Sequence, residues 1–323
     1  MVTDSEIQSA VAVLRRGGLV VFPTETVYGL GADASNPDAI RRLYAVKGRP
    51  TDHPVIVHLA GAAELDHWAR EVPAAARLLA QRFWPGPLTL ILKRQPHVTD
   101  LVTGGQDTIG LRVPGHPVAL ALLAAFRGGI AAPSANRFGR ISATTAEAVR
   151  QELGSDVDLV LDGGPCAVGI ESTILDLSGD TPAVLRPGGV PVAALEAALG
   201  RPLAVGRAGA PRASGTLAAH YAPRTPLMLM AGDLLLELAA SLARQGKRIA
   251  VLAREARQPL GAPYVWVAAP AGPDAYAHEL YASLRQLDAA GCDVILVEQL
   301  PAAPEWLAVK DRLTRAAAST DER

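Results

Sequence analysis

The sequence predicts an α/β protein, a mixed twisted sheet with flanking helices followed by a smaller βαβ domain. Three observations carry this. Short apolar runs alternate with stretches of helical period. Several runs follow one another too closely for a helical crossover, so the sheet mixes parallel and antiparallel pairs. Between Gly200 and Pro226 the periodicity lapses into Gly, Pro, Arg and Ala, then resumes to the end of the chain. The domain reading is therefore residues 1–205, a linker over 206–225, and residues 226–323.

Thr3 followed by Glu6 is a capping box, and Ile7, Ala10, Val11 and Leu14 recur at helical spacing behind it. Gly17-Gly18 ends that helix, and Leu19 to Phe22 is a short buried strand. Pro23 to Ser35 reads as a loop, because it carries Gly29 and Gly31. Asn36-Pro37 opens a second helix with Ile40, Leu43 and Tyr44 on its inner face. Strands follow at Val55 to Leu59, Leu88 to Leu92, Thr108 to Val113, Gly129 to Ala132, Leu159 to Leu161, Thr173 to Leu177 and Ala183 to Leu185. Pro117 to Phe126 and Thr145 to Leu153 are helical. After the linker, strands at Leu227 to Met230, Arg248 to Leu252, Tyr264 to Val267 and Val294 to Val297 alternate with helices. These are Asp233 to Arg244, Asp274 to Ala290 and Ala303 to Ala317. No Gly-rich phosphate fingerprint follows the first of these strands, so this domain has no sequence support for a dinucleotide site.

The 323 residues are 49% hydrophobic and 20% charged, enough apolar material for two cores. The formal net charge of −1 excludes nucleic-acid binding by bulk charge, though not by a local basic patch. Cys166 and Cys292 build neither a disulfide framework nor a cysteine zinc site, and a reducing compartment is expected. The first residues lack a signal-peptide pattern, and Asp233 and Glu237 interrupt the apolar run from Leu227 to Ala243. A cytoplasmic protein without membrane contact is the expectation. P-loop, HExxH, nucleophile-elbow and kinase signatures are absent.

Three polar clusters stand out. Pro23-Thr24-Glu25-Thr26-Val27-Tyr28-Gly29-Leu30-Gly31 leaves a strand end, where ligands of open α/β sheets sit; an ordinary turn with capping hydroxyls reads equally well. Lys47-Gly48-Arg49-Pro50 closes the second helix, where cations are favoured by the helix dipole alone. The chain has only four lysines against 27 arginines, and it keeps one here, two residues from an arginine. A point charge beside a planar fork suits a polyphosphate. Ser134-Ala135-Asn136 follows a strand and Pro133, offering donors to phosphate or a base. Arg112 lies in an apolar strand, so its charge requires an anionic partner, either internal, such as Glu25, or a ligand carboxylate. His58 lies in a strand, where a lone histidine is usually structural.

These clusters, with Pro54-Val55-Ile56-Val57-His58, stand in the order found in the YrdC-type threonylcarbamoyl-adenylate synthases, which the chain resembles over roughly residues 5–200. The Lys-x-Arg and Ser-x-Asn pairs are that family's signature. The second domain and His220-Tyr221-Ala222-Pro223 resemble its long, two-domain form, with a YrdC-like first domain and a Rossmann-like second. The resemblance implies that L-threonine, bicarbonate and ATP give threonylcarbamoyl-AMP and pyrophosphate. A transferase complex then uses the product to modify tRNA beside the anticodon. It implies Lys47 and Arg49 as the catalytic cations on the triphosphate, with His53, Thr108, Ser134, Asn136, Ser142, Arg186 and Tyr221 completing the ATP site. It gives threonine to Thr26, His58, Arg112, the Ala132 backbone and Ser172, and has Tyr221 on the linker close over the nucleotide. Mg²⁺ is expected with ATP, not on a protein ligand cluster. Two rival readings are a structured-RNA-binding module using Arg41 to Arg49, by which a weak RNA contact would arise, and a carbamoyltransferase relative.

Overall fold

The computed structural model describes residues 2–321 and contains two compact units, residues 1–138 with 142–216, and residues 139–141 with 217–323. In the first unit the helices are α1 (Asp4–Arg15), α2 (Pro37–Lys47), α3 (Leu65–Trp68), α4 (Ala74–Phe83), α5 (Asp100–Thr103), α6 (Pro117–Phe126), α7 (Ala146–Leu153) and α8 (Val192–Leu199). The strands are β1 (Val20–Phe22), β2 (Gly29–Asp33), β3 (Ile56–His58), β4 (Leu88–Lys93), β5 (Thr108–Arg112), β6 (Ile130–Ala131), β7 (Leu159–Val160), β8 (Thr173–Asp176), β9 (Ala183–Arg186) and β10 (Ala204–Val205). They form one sheet in the order β10-β9-β8-β4-β5-β3-β6-β2-β1-β7. Parallel pairs such as β3 with β5 alternate with antiparallel pairs such as β4 with β5, so the expected mixed sheet is present.

Local chemistry sets the helix ends. Thr3 and Glu6 make both halves of the capping box on α1. Asn36 caps α2 through the Asp38 and Ala39 N–H groups, and Gly48 ends it in the left-handed region. The expected loop over Pro23 to Ser35 is corrected: its second half is β2, an inner strand between β6 and β1. The glycines that argued against a strand are required by packing. A Cβ on Gly31 would meet Phe22 Cε1 at 2.8 Å and Ile130 Cγ2 at 2.9 Å.

The two faces of this sheet differ. Leu88, Leu90, Leu92, Ile109, Leu111, Val57 and Leu175 point into the large core under α2, α4, α7 and α8. On the opposite face α1 and α6 cover only the β1 and β6 end, through Val11, Leu14, Leu122, Phe22 and Ile130. Strands β3, β5, β4 and β8 are left with a small apolar patch there, Ile56, Ile91 and Ile174, closed by Ala213. The remainder of that face is polar, and it carries the site.

The second unit is a four-stranded parallel sheet, β11 (Leu227–Met230), β12 (Ile249–Ala253), β13 (Val265–Ala268) and β14 (Val294–Glu298), ordered β11-β14-β12-β13. Its helices are α9 (Gly232–Arg244), α10 (Pro273–Ala289) and α11 (Leu307–Asp321). The last starts four residues later than expected, after a 3₁₀ turn over Pro304–Trp306. Between β14 and β12 the outgoing connections diverge, the usual ligand crevice of a parallel sheet. Here Glu298 fills it: its Oε2 accepts the Arg254, Glu255 and Ala256 N–H groups at 2.7, 2.8 and 3.2 Å. Glu298→Ala leaves three donors without their acceptor and is expected to destabilise this unit by about 3 kcal/mol. A denaturant midpoint equal to wild type would refute that. Among the described residues no helix is long and apolar enough to cross a membrane.

Candidate active site

Strand register brings the polar residues together. β3 and β5 run parallel with Ile56 opposite Gly110 and His58 opposite Arg112. Because side chains alternate, Ile56, His58, Thr108, Gly110 and Arg112 share the open face. Arg112 is 4% exposed and therefore needs compensation. Its Nη2 donates to Glu25 Oε1 at 2.7 Å and to Thr26 Oγ1 at 3.0 Å, and its Nε to the Gly86 carbonyl at 3.3 Å. Glu25, offered by the sequence as an internal partner, is that partner. Glu25 Oε2 also accepts the Gly115 N–H at 2.8 Å. Arg112 Nη1 makes no hydrogen bond among the described residues, so one edge of the fork is left for a ligand.

Beside it, His58 is buried with Nδ1 unbonded. Burial, with the Arg112 charge adding to it, pushes its pKa down to about 3. The imidazole is neutral at physiological pH, so it positions a ligand rather than taking its proton. Thr24 Oγ1 donates to the Val27 carbonyl at 2.6 Å, so the 2.8 Å bond between the two threonines runs from Thr26 Oγ1 to Thr24 Oγ1. Thr26 has a lone pair left to offer, not a proton. Ala132 spends its N–H on the Ile56 carbonyl, leaving its own carbonyl. One guanidinium edge beside neutral acceptors suits the carboxylate and ammonium of an amino acid.

The second group lies where β3 begins and β6 ends. Lys47, the last residue of α2, is buried and donates through Nζ to the Ser134 and Asn136 carbonyls. Burial, then the Arg49 charge, holds its pKa well below the ordinary lysine value. Gly48 turns the chain so that Arg49 reaches the Pro54 carbonyl at 2.8 Å and stands 5.5 Å from the Phe138 ring centroid. His53 packs edge-on against the same ring, its pKa lowered by burial and by Arg49. Thr108 starts β5, four residues before Arg112, so the two ends of the site lie roughly 13 Å apart along one strand.

Arg186 and Ser172 link these ends. Arg186 stands opposite Ile174 in the β8–β9 register, and its Nη2 donates to the Ser172 carbonyl at 2.8 Å and to Ser172 Oγ at 3.1 Å. Ser172 Oγ also bonds Thr89 Oγ1 at 2.8 Å. Ser214 joins Arg186 to Arg49: its carbonyl accepts from Arg186 Nη1 at 2.8 Å and its Oγ from Arg49 Nη2 at 3.2 Å. Ser142 is buried with its hydroxyl on Glu171 Oε1 at 2.6 Å. Tyr221 belongs to the second unit, at φ 62°, stacked on Tyr281 and 5.0 Å from the Arg312 guanidinium.

Sequence reading missed Ser214, Thr89 and the Glu171 side chain as parts of this network, because each bonds a residue far away in the chain. The segment before Leu217, read from sequence as a linker that could fold over the site, is anchored by arginines: Arg207 to Asp176 at 2.6 Å, and Arg212 to the Asp52 and Gly104 carbonyls at 3.1 and 2.8 Å.

The neutral His58 has a consequence for stability. Between pH 6.5 and about 3 the unfolded chain binds a proton that the folded imidazole refuses. Its contribution is complete above pH 6.5 and is lost as the pH falls. His58→Gln is expected to flatten the acid limb of stability against pH, followed by urea unfolding from pH 4 to 7; parallel limbs would rule this out.

A family model described as "Telomere recombination", for Sua5, YciO and YrdC proteins, matches residues 12–188. One described as "Threonylcarbamoyl-AMP synthase, C-terminal domain" matches residues 190–318. Threonylcarbamoyl-AMP synthase of Pyrococcus abyssi is 37% identical over 98% of this chain and 95% of its own. That of Bacillus subtilis is 40% identical over 97% and 93%. The crystal structure of P. abyssi Sua5 complexed with L-threonine has a TM-score of 0.93 at 36% identity, covering 99% of this chain and 96% of that one. With both domains matched in order and at nearly full length, the chain belongs to the YrdC-type threonylcarbamoyl-AMP synthases in their two-domain form.

Proposed function

We infer that this chain condenses L-threonine, bicarbonate and ATP into threonylcarbamoyl-AMP and pyrophosphate. One observation carries the reading: a single sheet face holds a buried arginine with one free edge beside a neutral histidine with a free nitrogen, and joins through Arg186 and Ser214 to Arg49. Threonine binds at the Arg112 end, with its carboxylate on Nη1 and its other polar groups among Thr26, His58, the Ala132 carbonyl and Ser172. ATP binds at the other end, with Lys47 and Arg49 on the triphosphate and His53, Thr108, Ser134, Asn136, Ser142 and Arg186 around the nucleotide.

The threonine amine and bicarbonate form a carbamate with loss of water. A carbamate oxygen attacks the α-phosphorus, the bond to the bridging oxygen breaks, and pyrophosphate leaves. Negative charge crowds every stage, so the protein's task is positioning and neutralisation. Mg²⁺ arriving with ATP adds charge neutralisation on the phosphates. The segment anchored by Arg207 and Arg212 excludes water from a product prone to hydrolysis. The product passes to a tRNA-modifying transferase, which places the enzyme in the cytoplasm; an RNA contact of its own is at most weak.

Incubating the chain with ATP, bicarbonate and each amino acid tests this. Threonine-dependent pyrophosphate is expected, with serine turned over about 10- to 100-fold less efficiently, since one methyl is worth about 1–3 kcal/mol. Pyrophosphate release that ignores threonine would overturn the reading.

A further inference from the structure

We propose that Thr89 is a positioning residue for threonine: it donates its hydroxyl proton to Ser172, which leaves the Ser172 proton for the substrate. The proposal rests on the reading above that puts threonine beside Ser172.

Its first support is a count of protons. Thr89 Oγ1 and Ser172 Oγ lie 2.8 Å apart, and either could donate. Ser172 Oγ also accepts from Arg186 Nη2 at 3.1 Å. Thr89 is 0% exposed, and its hydroxyl has no partner besides Ser172 among the described residues. Two hydroxyl protons share one bond, so one of them is left over. Were Ser172 the donor, the leftover proton would sit on Thr89, enclosed without an acceptor, a costly state for a buried polar group. With Thr89 as the donor, the leftover proton is on Ser172. Both Ser172 lone pairs are then taken, by Thr89 and Arg186, and its hydroxyl can only donate.

The second support is what the threonine end of the site offers. Thr89 stands on the open face, opposite Ile174 in β8. Leu90 pairs with Leu111, so one step along the same ladder brings Thr89 beside Arg112. Of the groups given to threonine, Thr26 offers a lone pair and Ala132 a carbonyl, both acceptors. These suit the ammonium and the hydroxyl proton. The carboxylate has two oxygens, and Arg112 Nη1 is one nitrogen. A neutral donor next to that cation completes the match, and the Ser172 proton supplies it. The Arg186 guanidinium, by donating into the Ser172 oxygen, strengthens that donor, because hydrogen bonds in a chain polarise one another.

Thr89→Val tests the assignment, since it keeps the branched shape that a strand favours and removes the hydroxyl. Threonine affinity is read by calorimetry without ATP, and KM values are read from pyrophosphate release with all substrates present. Thr89→Val is expected to bind threonine about tenfold more weakly than wild type, with KM for threonine raised by a similar factor and KM for ATP unchanged. Thr89→Ser restores the proton and is expected to return to within about twofold of the wild-type affinity. In a Ser172→Ala background, adding Thr89→Val is expected to change threonine affinity by less than about twofold, because Thr89 acts through Ser172. Thr89→Ala takes the place of the valine variant should that not fold. Wild-type threonine affinity in the folded variant, or an equal loss for ATP and threonine, overturns the proposal and leaves the synthase reading standing. Additive losses in the Ser172→Ala background overturn it as well. A wild-type chain that binds threonine through Thr89 and Ser172, yet releases no threonine-dependent pyrophosphate, overturns the synthase reading instead.

Discussion

Lys47→Ala is expected to lower threonylcarbamoyl-AMP formation about a hundredfold or more, the usual loss when preorganised charge is removed from a site of developing negative charge. That corresponds to about 2.7 kcal/mol in the transition state. The ammonium is buried and donates to two neutral carbonyls, those of Ser134 and Asn136. Burial disfavours the charge, and a triphosphate supplies the compensation that the carbonyls cannot. Alanine removes this charge and also the tie that shapes the Ser134–Asn136 loop. Lys47→Met separates the two effects. It keeps most of the volume and loses the charge, so its rate should fall as far while its melting temperature falls less. Pyrophosphate release near the wild-type rate in either folded variant would remove Lys47 from the chemistry.

Much of this was legible before any coordinates, where local chemistry decides. The capping box at Thr3 and Glu6 and the Asn36-Pro37 start are short-range devices, and both are in place. Arg112 was legible for a different reason: a charge in an apolar strand has to be answered, and Glu25 answers it. Strand β2 was hidden, because Gly29 and Gly31 are poor strand formers and the reason for them lies in Phe22, Ala132 and Ile130. Ser214 was hidden because nothing in a Gly- and Ala-rich stretch signals that one hydroxyl will meet an arginine 165 residues earlier. The pairing of His58 with Arg112 is a property of parallel register between β3 and β5, which neither strand encodes alone.

That register also frames the second large effect. Arg112→Ala removes the group assigned to the threonine carboxylate and strands Glu25, whose side chain is 13% exposed and, among the described residues, then keeps only the Gly115 N–H. Breaking a buried pair costs about 3–5 kcal/mol, so the single variant is expected to be markedly less stable, and loss of activity alone would prove little. The double variant Arg112→Met with Glu25→Gln resolves this. It replaces the pair by neutral groups of similar size, which restores much of the stability, because exchanging a buried ion pair for neutral packing is often close to neutral in energy. Threonine is not restored, since no cation then faces its carboxylate. The expected result is a recovered melting temperature together with a KM for threonine raised about a hundredfold, in line with the loss of a charge-assisted hydrogen bond in a dry site. A stable double variant with the wild-type KM for threonine would place the carboxylate elsewhere. Arg112 would then be a structural charge answered by Glu25, and the free edge of its guanidinium would carry no functional meaning.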